Sequence, residues 1–342
     1  MTAAALQDPS VREVPVPPSH VAARAAPAEA LRALIAAERD RLPLPGAGRT
    51  LQRWQALARV AAQDLSLAKL FEGHTDALAI LAELGVSAAP GAWATWCAEP
   101  PDARLQCSAP GPDGRVLLSG RKAWCSGAEG VDHAVVSGWN PAGQPCLAAV
   151  SLDQAGVRIS ADGWHATGMA ATRSADVYFD AVPARAVGAP GAYVQRPGFW
   201  HGGAGIAACW WGGAAGIARS VHALLAARGE RVDAHQRAHL GQIDLALQGS
   251  AALLREAAAW IDAQPRQDAQ AWALRVRLAV ERDASAVLHH AGRALGAGPL
   301  CQDAALGRAL ADLPIFLRQS HAERDLAALS NHLLTDPLPW TL

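Results

Sequence analysis

The run Leu317-Arg318-Gln319-Ser320-His321-Ala322-Glu323-Arg324-Asp325 sets an imidazole close to carboxylates in an otherwise polar stretch. An imidazole titrates near neutrality and can pass a proton in either direction, so His321 could do acid–base work. The competing account puts Glu323 and Arg324 on a solvated helix face and His321 in a packing contact. A second group, Trp124-Cys125-Ser126, holds a flat apolar ring and a hydroxyl one residue apart from it. That pair could wall a flat cofactor and place a donor at its edge, whereas the plainer account packs the indole inward from a strand. Histidines at 235, 239, 289 and 290 lack a third ligand at metal spacing, so surface or interhelix packing is the better account and no metal is expected. Gly202-Gly203-Ala204-Gly205 lacks the strand-to-helix context of a phosphate loop and reads as small residues that let helices approach closely.

Three kinds of segment would have to position these groups. Residues 1–25 are rich in Pro and Ala without periodicity and read as an extended arm. Residues 26–93 carry apolar positions at helical spacing, with Leu65 to Leu84 closed by Gly85. Residues 94–196 switch to short apolar runs, including Val116-Leu117-Leu118, Ala134-Val135-Val136 and Val177-Tyr178-Phe179, separated by turns at Gly111 to Gly114 and Asn140 to Gly143. From residue 197 helical periodicity returns, predicting helices over Ala204 to Leu225, His235 to Ile261, Ala269 to Leu295 and Ala304 to Leu334. The expected fold class is α+β: an N-terminal α-helical domain, a middle antiparallel β-barrel domain and a C-terminal four-helix bundle.

Bulk properties narrow the function. The chain has 342 residues, 51% hydrophobic and 18% charged, enough to bury a sizeable core. Thirty basic and 31 acidic residues give a net charge of -1 and no basic field, which argues against nucleic acid or an anionic membrane as partner. The six cysteines are scattered without a Cys-x-x-Cys pair and read as reduced thiols. No secretory signal pattern and no apolar run of membrane-spanning length is visible, so a soluble, cytoplasmic protein is expected. Twelve tryptophans are unusual, and most are expected in the core.

Two stretches carry a resemblance. Leu118-Ser119-Gly120-Arg121-Lys122-Ala123-Trp124-Cys125-Ser126-Gly127, followed by Val131-Asp132-His133-Ala134, is similar to the Leu-x-Gly-x-Lys-x-Trp-Ile-Thr-Asn motif of the acyl-CoA dehydrogenase family with its following Ala-Asp and strand. Gly168-Met169-Ala170-Ala171-Thr172-Arg173-Ser174, then Val177-Tyr178-Phe179-Asp180-Ala181-Val182-Pro183, resembles the family's Gly-Met-Arg-x-Thr-x-Ser and the strand ending Asp-x-Val-x-Pro. A third stretch, Arg293-Ala294-Leu295-Gly296-Ala297-Gly298-Pro299, resembles the Gln-x-x-Gly-Gly-x-Gly turn that reaches a neighbouring subunit's FAD, with Arg293 in place of Gln. The plainer account of that turn is a helix cap at Gly296.

The resemblance implies a flavin, FAD or alternatively FMN, with Trp124 against the ring, Ser126 near its N5 and O4, Ser174 in the second motif, and Arg293, Gly296 and Gly298 toward the adenosine half. It implies a small-molecule substrate, an acyl-CoA in most of the family, and a homodimer or homotetramer; a heteromeric partner supplying a missing group is a further alternative. The abbreviated loop Arg228-Gly229-Glu230-Arg231 favours the dimer. Three departures bear on the reaction. Ala98 stands where the family has a flavin-binding Thr, the Gly-Ser-Asp portion after Glu99-Pro100 is missing, and the catalytic Glu position falls on Ser320, its other known location near Ile206 being equally inert. The first expectation is an FAD-dependent acyl-CoA dehydrogenase-like oxidoreductase using His321 or Glu323. The alternatives are a reduced-flavin monooxygenase of the same fold, where a similar His assists proton transfer, and a homologue that binds flavin or a partner without turnover.

Overall fold

The computed structural model describes residues 26–335 and Trp340, so the arm expected at residues 1–25 lies outside the described residues. Three helices come first. α1 (Pro27–Ala36) opens on a proline, whose missing N–H costs nothing in a first turn. α2 (Thr50–Ala61) is capped from far along the chain: Asp262 accepts from the Thr50 hydroxyl at 2.6 Å, from Thr50 N at 2.9 Å and from Gly48 N at 3.0 Å. α3 (Leu65–Glu83) is one continuous helix, started by the Asp64 side chain accepting from Leu67 N at 2.8 Å and left behind at Gly85, where φ is +70°.

Seven strands follow: β1 (Trp93–Trp96), β2 (Gln106–Cys107), β3 (Arg115–Cys125), β4 (His133–Trp139), β5 (Pro145–Ser151), β6 (Val157–Ser160) and β7 (Ala175–Ala186). β4 has β5 on one edge, and β1 then β2 along the other; β2 leads to β3, β3 to β7, and β7 returns to β5, which closes a small barrel. Most pairings are antiparallel as expected, but β1 and β2 run parallel to β4, because the chain enters the barrel from α3 in the direction that β4 later takes. The turn at Asn140 to Gly143 is secured by the Asn140 side chain, which accepts from Gln144 N at 2.9 Å.

After the short α4 (Ala192–Gln195), the chain returns to long helices: α5 (Gly198–Ala226), α6 (Ala234–Ala263) and α7 (Gln270–Leu295), then α8 (Ala297–Gln302), α9 (Ala304–Leu317) and α10 (Glu323–Thr335). α6 starts with a reciprocal cap between Asp233 and Gln236. The helix expected over Ala304 to Leu334 is therefore two helices. Ala322 lies at φ +44°, the Ser320 hydroxyl accepts from Ala322 N at 3.1 Å, and Asp325 accepts from His321 N at 3.2 Å, so side chains stop one helix and start the next. One continuous core runs from α2 and α3 through the barrel to α5, α7 and α9. Of the tryptophans, Trp54, Trp93, Trp96 and Trp210 are buried, Trp164, Trp200, Trp211, Trp260 and Trp272 are half-buried and packed against the core, Trp139 is half-buried, and Trp124 and Trp340 are exposed. Among the described residues no helix is long and apolar enough to cross a membrane.

Candidate functional site

The first motif is the second half of β3, and its geometry is set by an irregularity. The register against β7 shifts between Lys122 and Cys125, and Trp124, within that interval, adopts φ +58°. A bulky residue in the left-handed region is strained by roughly 1–2 kcal/mol. The bulge turns the indole away from the barrel, leaving it 54% exposed between buried Ala123 and Cys125. The inward-packed alternative for Trp124 is thus corrected.

Beside it lies a chain of hydroxyls. Ser126 Oγ shares a hydrogen bond with Ser174 Oγ at 3.0 Å, Ser174 Oγ another with Thr172 Oγ1 at 2.9 Å, and the Thr172 hydroxyl donates to Met169 O at 2.7 Å. A backbone bond joins the motifs further, Gly127 N donating to Thr172 O at 2.8 Å, and Trp96 Nε1 of β1 donates to Ser126 O at 3.1 Å. Trp124, Ser126 and Ser174, named from sequence, are therefore gathered at one place. Thr172, of the same motif, belongs with them.

A small recess opens at Ser126, with Lys69 and Gly73 of α3, Thr95 and Trp96 of β1, and Val131 in its lining. Its enclosed space of about 10 Å³ is that of a single water molecule, far below the ~300–1,000 Å³ of drug-sized ligand sites. Lys69 was missed from sequence. Its ammonium pairs with Glu72 at 2.8 Å; burial pushes it down, but the Glu72 carboxylate more than offsets this and the pKa stands above its ordinary value. The signal was an amphipathic break, since Lys69, Glu72 and Asp76 recur at helical spacing on an otherwise apolar α3.

Several motif residues prove to be structural. Lys122 is fully buried; its ammonium donates to Ser137 Oγ at 2.7 Å and Ser137 O at 2.9 Å, with Glu99 at 3.4 Å. Glu99 also accepts from Ser137 Oγ and Trp139 Nε1, each at 2.7 Å, so the remnant Ala98-Glu99-Pro100 segment is tied to β3 and β4. Asp132 accepts from Arg32 at 2.8 and 3.0 Å and from Ala92 N at 2.7 Å, joining α1 to the barrel; the Arg32 hydrogen bonds hold its carboxyl below the usual range. In the second motif, Met169 and Arg173 are left-handed, Met169 N donates to Asp312 Oδ1 at 2.6 Å, and Arg173 pairs with Glu129. α9 is docked there, with Gly168 against its backbone.

The remaining sequence candidates lie elsewhere. His321 stands in the link between α9 and α10, 57% exposed, with Nδ1 3.4 Å from Asp325 Oδ1, and Glu323 begins α10 exposed to solvent. Ser320, at the position where the resemblance puts the base, is 7% exposed and serves as the cap described above. Ile206 is buried within α5. Arg293 is exposed in the last turn of α7, Gly296 joins α7 to α8 at φ +69°, and Gly298 lies in α8 with open space around its Cα. Among the described residues these form no hydrogen bond or ion pair with the Trp124 to Ser126 segment. The histidines expected to pack between helices include His239 and His290, whose Nδ1 atoms are 3.0 Å apart across α6 and α7.

No family model and no curated protein matches the sequence. Solved structures do. The chain superposes on TdsC, a dibenzothiophene monooxygenase from Paenibacillus sp. A11-2 solved with FMN and indole, with TM-score 0.72 and 19% identity over 92% of this chain and 97% of that one. Nitrososynthase from Micromonospora carbonacea var. africana gives 0.72 and 21% over 91% and 93%. Methanesulfinate monooxygenase MsuC from Pseudomonas fluorescens gives 0.71 and 20% over 92% and 98%. The resemblance read from two motifs extends to the whole described architecture.

Proposed function

With the acyl-CoA dehydrogenase fold as premise, we propose that this protein is a flavin-dependent monooxygenase that works with reduced flavin on a small substrate. The observation that carries this reading is the pocket wall at Ser126: among the described residues its lining includes Lys69, whose ammonium pairs with Glu72, and no carboxylate that could remove an α proton from a thioester. The neighbours named as monooxygenases support it. FMN is favoured over FAD because two of the similar proteins, TdsC and KijD3, were solved with FMN and because Arg293 replaces the glutamine of the adenosine turn.

The residues fit a flavin on two counts. The exposed face of Trp124, held out by a strained bulge, gives an aromatic ring a flat apolar partner. The Ser126–Ser174–Thr172 hydroxyls end on the Met169 carbonyl, so Thr172 donates to Met169, Ser174 to Thr172 and Ser126 to Ser174, which leaves the Ser126 oxygen to accept from an N–H at the edge of a reduced ring. A bound reduced flavin would supply the electrons for activating dioxygen. The protein's part is to position the ring on Trp124, to accept from the ring edge at Ser126 and to hold the substrate near Lys69. His321, in the link between α9 and α10 with Nδ1 3.4 Å from Asp325 Oδ1, is the candidate for proton transfer.

Protein loaded with FMN or FAD and mixed anaerobically with a panel of acyl-CoA esters tests this. The reading expects the oxidised flavin spectrum to persist with every ester; bleaching by any one of them would establish the dehydrogenase instead.

A further inference from the structure

The hydroxyl chain beside Trp124 has a direction as well as a position. Thr172 is 2% exposed and Ser174 5%, so neither hydroxyl can trade its partners for water. The chain begins at a carbonyl, which only accepts: Met169 O takes the Thr172 N–H at 3.0 Å and the Thr172 hydroxyl at 2.7 Å. A hydroxyl carries one proton. With that of Thr172 committed to Met169, the 2.9 Å contact between Thr172 and Ser174 is made by the Ser174 proton, and the 3.0 Å contact between Ser174 and Ser126 by the Ser126 proton. Running the chain the other way would set the Thr172 and Met169 oxygens against each other at 2.7 Å with no proton between them, away from solvent.

The anchor is itself held. Asp312 of α9 accepts from Met169 N at 2.6 Å, and Gly127 N, just after β3, donates to Thr172 O at 2.8 Å, so the turn that presents the Met169 carbonyl is clamped at both ends. At the open end of the chain Ser126 is half-buried and lines the recess, with its proton used and its oxygen free to accept. The two states of a flavin differ in this respect. N5 and the neighbouring carbonyl of the oxidised ring are both acceptors, whereas the reduced ring carries an N–H at N5.

We propose that Thr172 and Ser174, two buried hydroxyls, act through Ser126 as positioning residues that make the site select reduced over oxidised flavin. This rests on the flavin reading of the site. One hydrogen bond made to one ring state and refused to the other corresponds to about tenfold in affinity. For a two-electron couple the same factor places the potential of the bound flavin about 30 mV above that of the free one.

Anaerobic calorimetric titration of the whole chain with oxidised FMN and with dithionite-reduced FMN tests the assignment, with the potential of the bound flavin as a second readout. The wild-type protein is expected to bind the reduced state about tenfold more tightly. Thr172→Val keeps the shape of the side chain and removes the first hydroxyl, so both senses of the remaining chain become open and the two affinities should converge. Ser174→Ala frees the Ser126 proton and should do the same, while Thr172→Ser keeps the hydroxyl and should keep the preference. Equal binding of the two states by the wild-type protein, tighter binding of the oxidised state, or a preference that survives both Thr172→Val and Ser174→Ala because each weakens the two states alike would overturn this inference and leave the flavin site standing. Binding of neither state by the wild-type protein would remove the flavin reading and this inference with it.

Discussion

Trp124 concentrates what single residues decide here. Its type pointed to a flat partner, but its outward direction came from a left-handed backbone angle that no side-chain pattern announces. Trp124→Gly should leave stability within about 1 kcal/mol of the parent, because the strain is relieved as the half-exposed indole is lost. FMN affinity should fall about tenfold, the scale of one aromatic stacking contact. Paired thermal melts and fluorescence titrations would check both. His74 gives the pH dependence. It is 1% exposed, Nδ1 accepts from Trp93 N at 3.0 Å, and Nε2 meets Asp40 at 3.1 Å, an arrangement that requires the neutral ring. Burial lowers its pKa below the ordinary 6.5, against the opposing Asp40 bond. The unfolded chain then binds more protons than the folded one between those two values, so stability should be full above pH 6.5 and decline below it. Urea midpoints measured across that window should fall less steeply in His74→Asn, whose side-chain oxygen can still accept from Trp93 N.

At the scale of elements, the pattern of apolar residues placed the helices and the main strands because burial periodicity is local. Three things escaped it. The parallel pairing of β1 and β2 with β4 depends on the path of the chain through space, and nothing in a four-residue strand reports its partner. The split of α9 from α10 hangs on side-chain caps by Ser320 and Asp325 within a run whose composition suits a helix. The glycine of the second motif is explained only by α9: a Cβ at Gly168 would collide with the Ala311 carbonyl and stand 2.6 Å from Ile315 Cγ1. Gly168→Ala should therefore cost about 1–3 kcal/mol by forcing α9 off the Met169 segment, read as a lower denaturation midpoint. Lys122→Met tests the barrel's buried polar centre in the same assay. Losing the ammonium leaves Ser137 and Glu99 without it, and a drop of about 3 kcal/mol is expected.

Across the whole molecule, two short motifs near the barrel announced a fold that covers the described chain, and they did so because they encode its seams: Asp132 ties α1 to β1, Lys122 ties β3 to β4, and Gly168 receives α9. The chemistry was less legible. A missing carboxylate could be read from sequence at Ser320, but Lys69, which lines the pocket and pairs with Glu72, lies on a helix far from either motif along the sequence. The central claim is that reduced flavin meets oxygen in this site. Reoxidation of photoreduced FMN by dissolved oxygen, followed by absorbance with and without the protein, addresses it directly. Reoxidation that is slower and altered in time course on the wild-type protein, and restored toward the free rate in Trp124→Gly, is the expected result; a time course identical to that of free FMN would contradict the account.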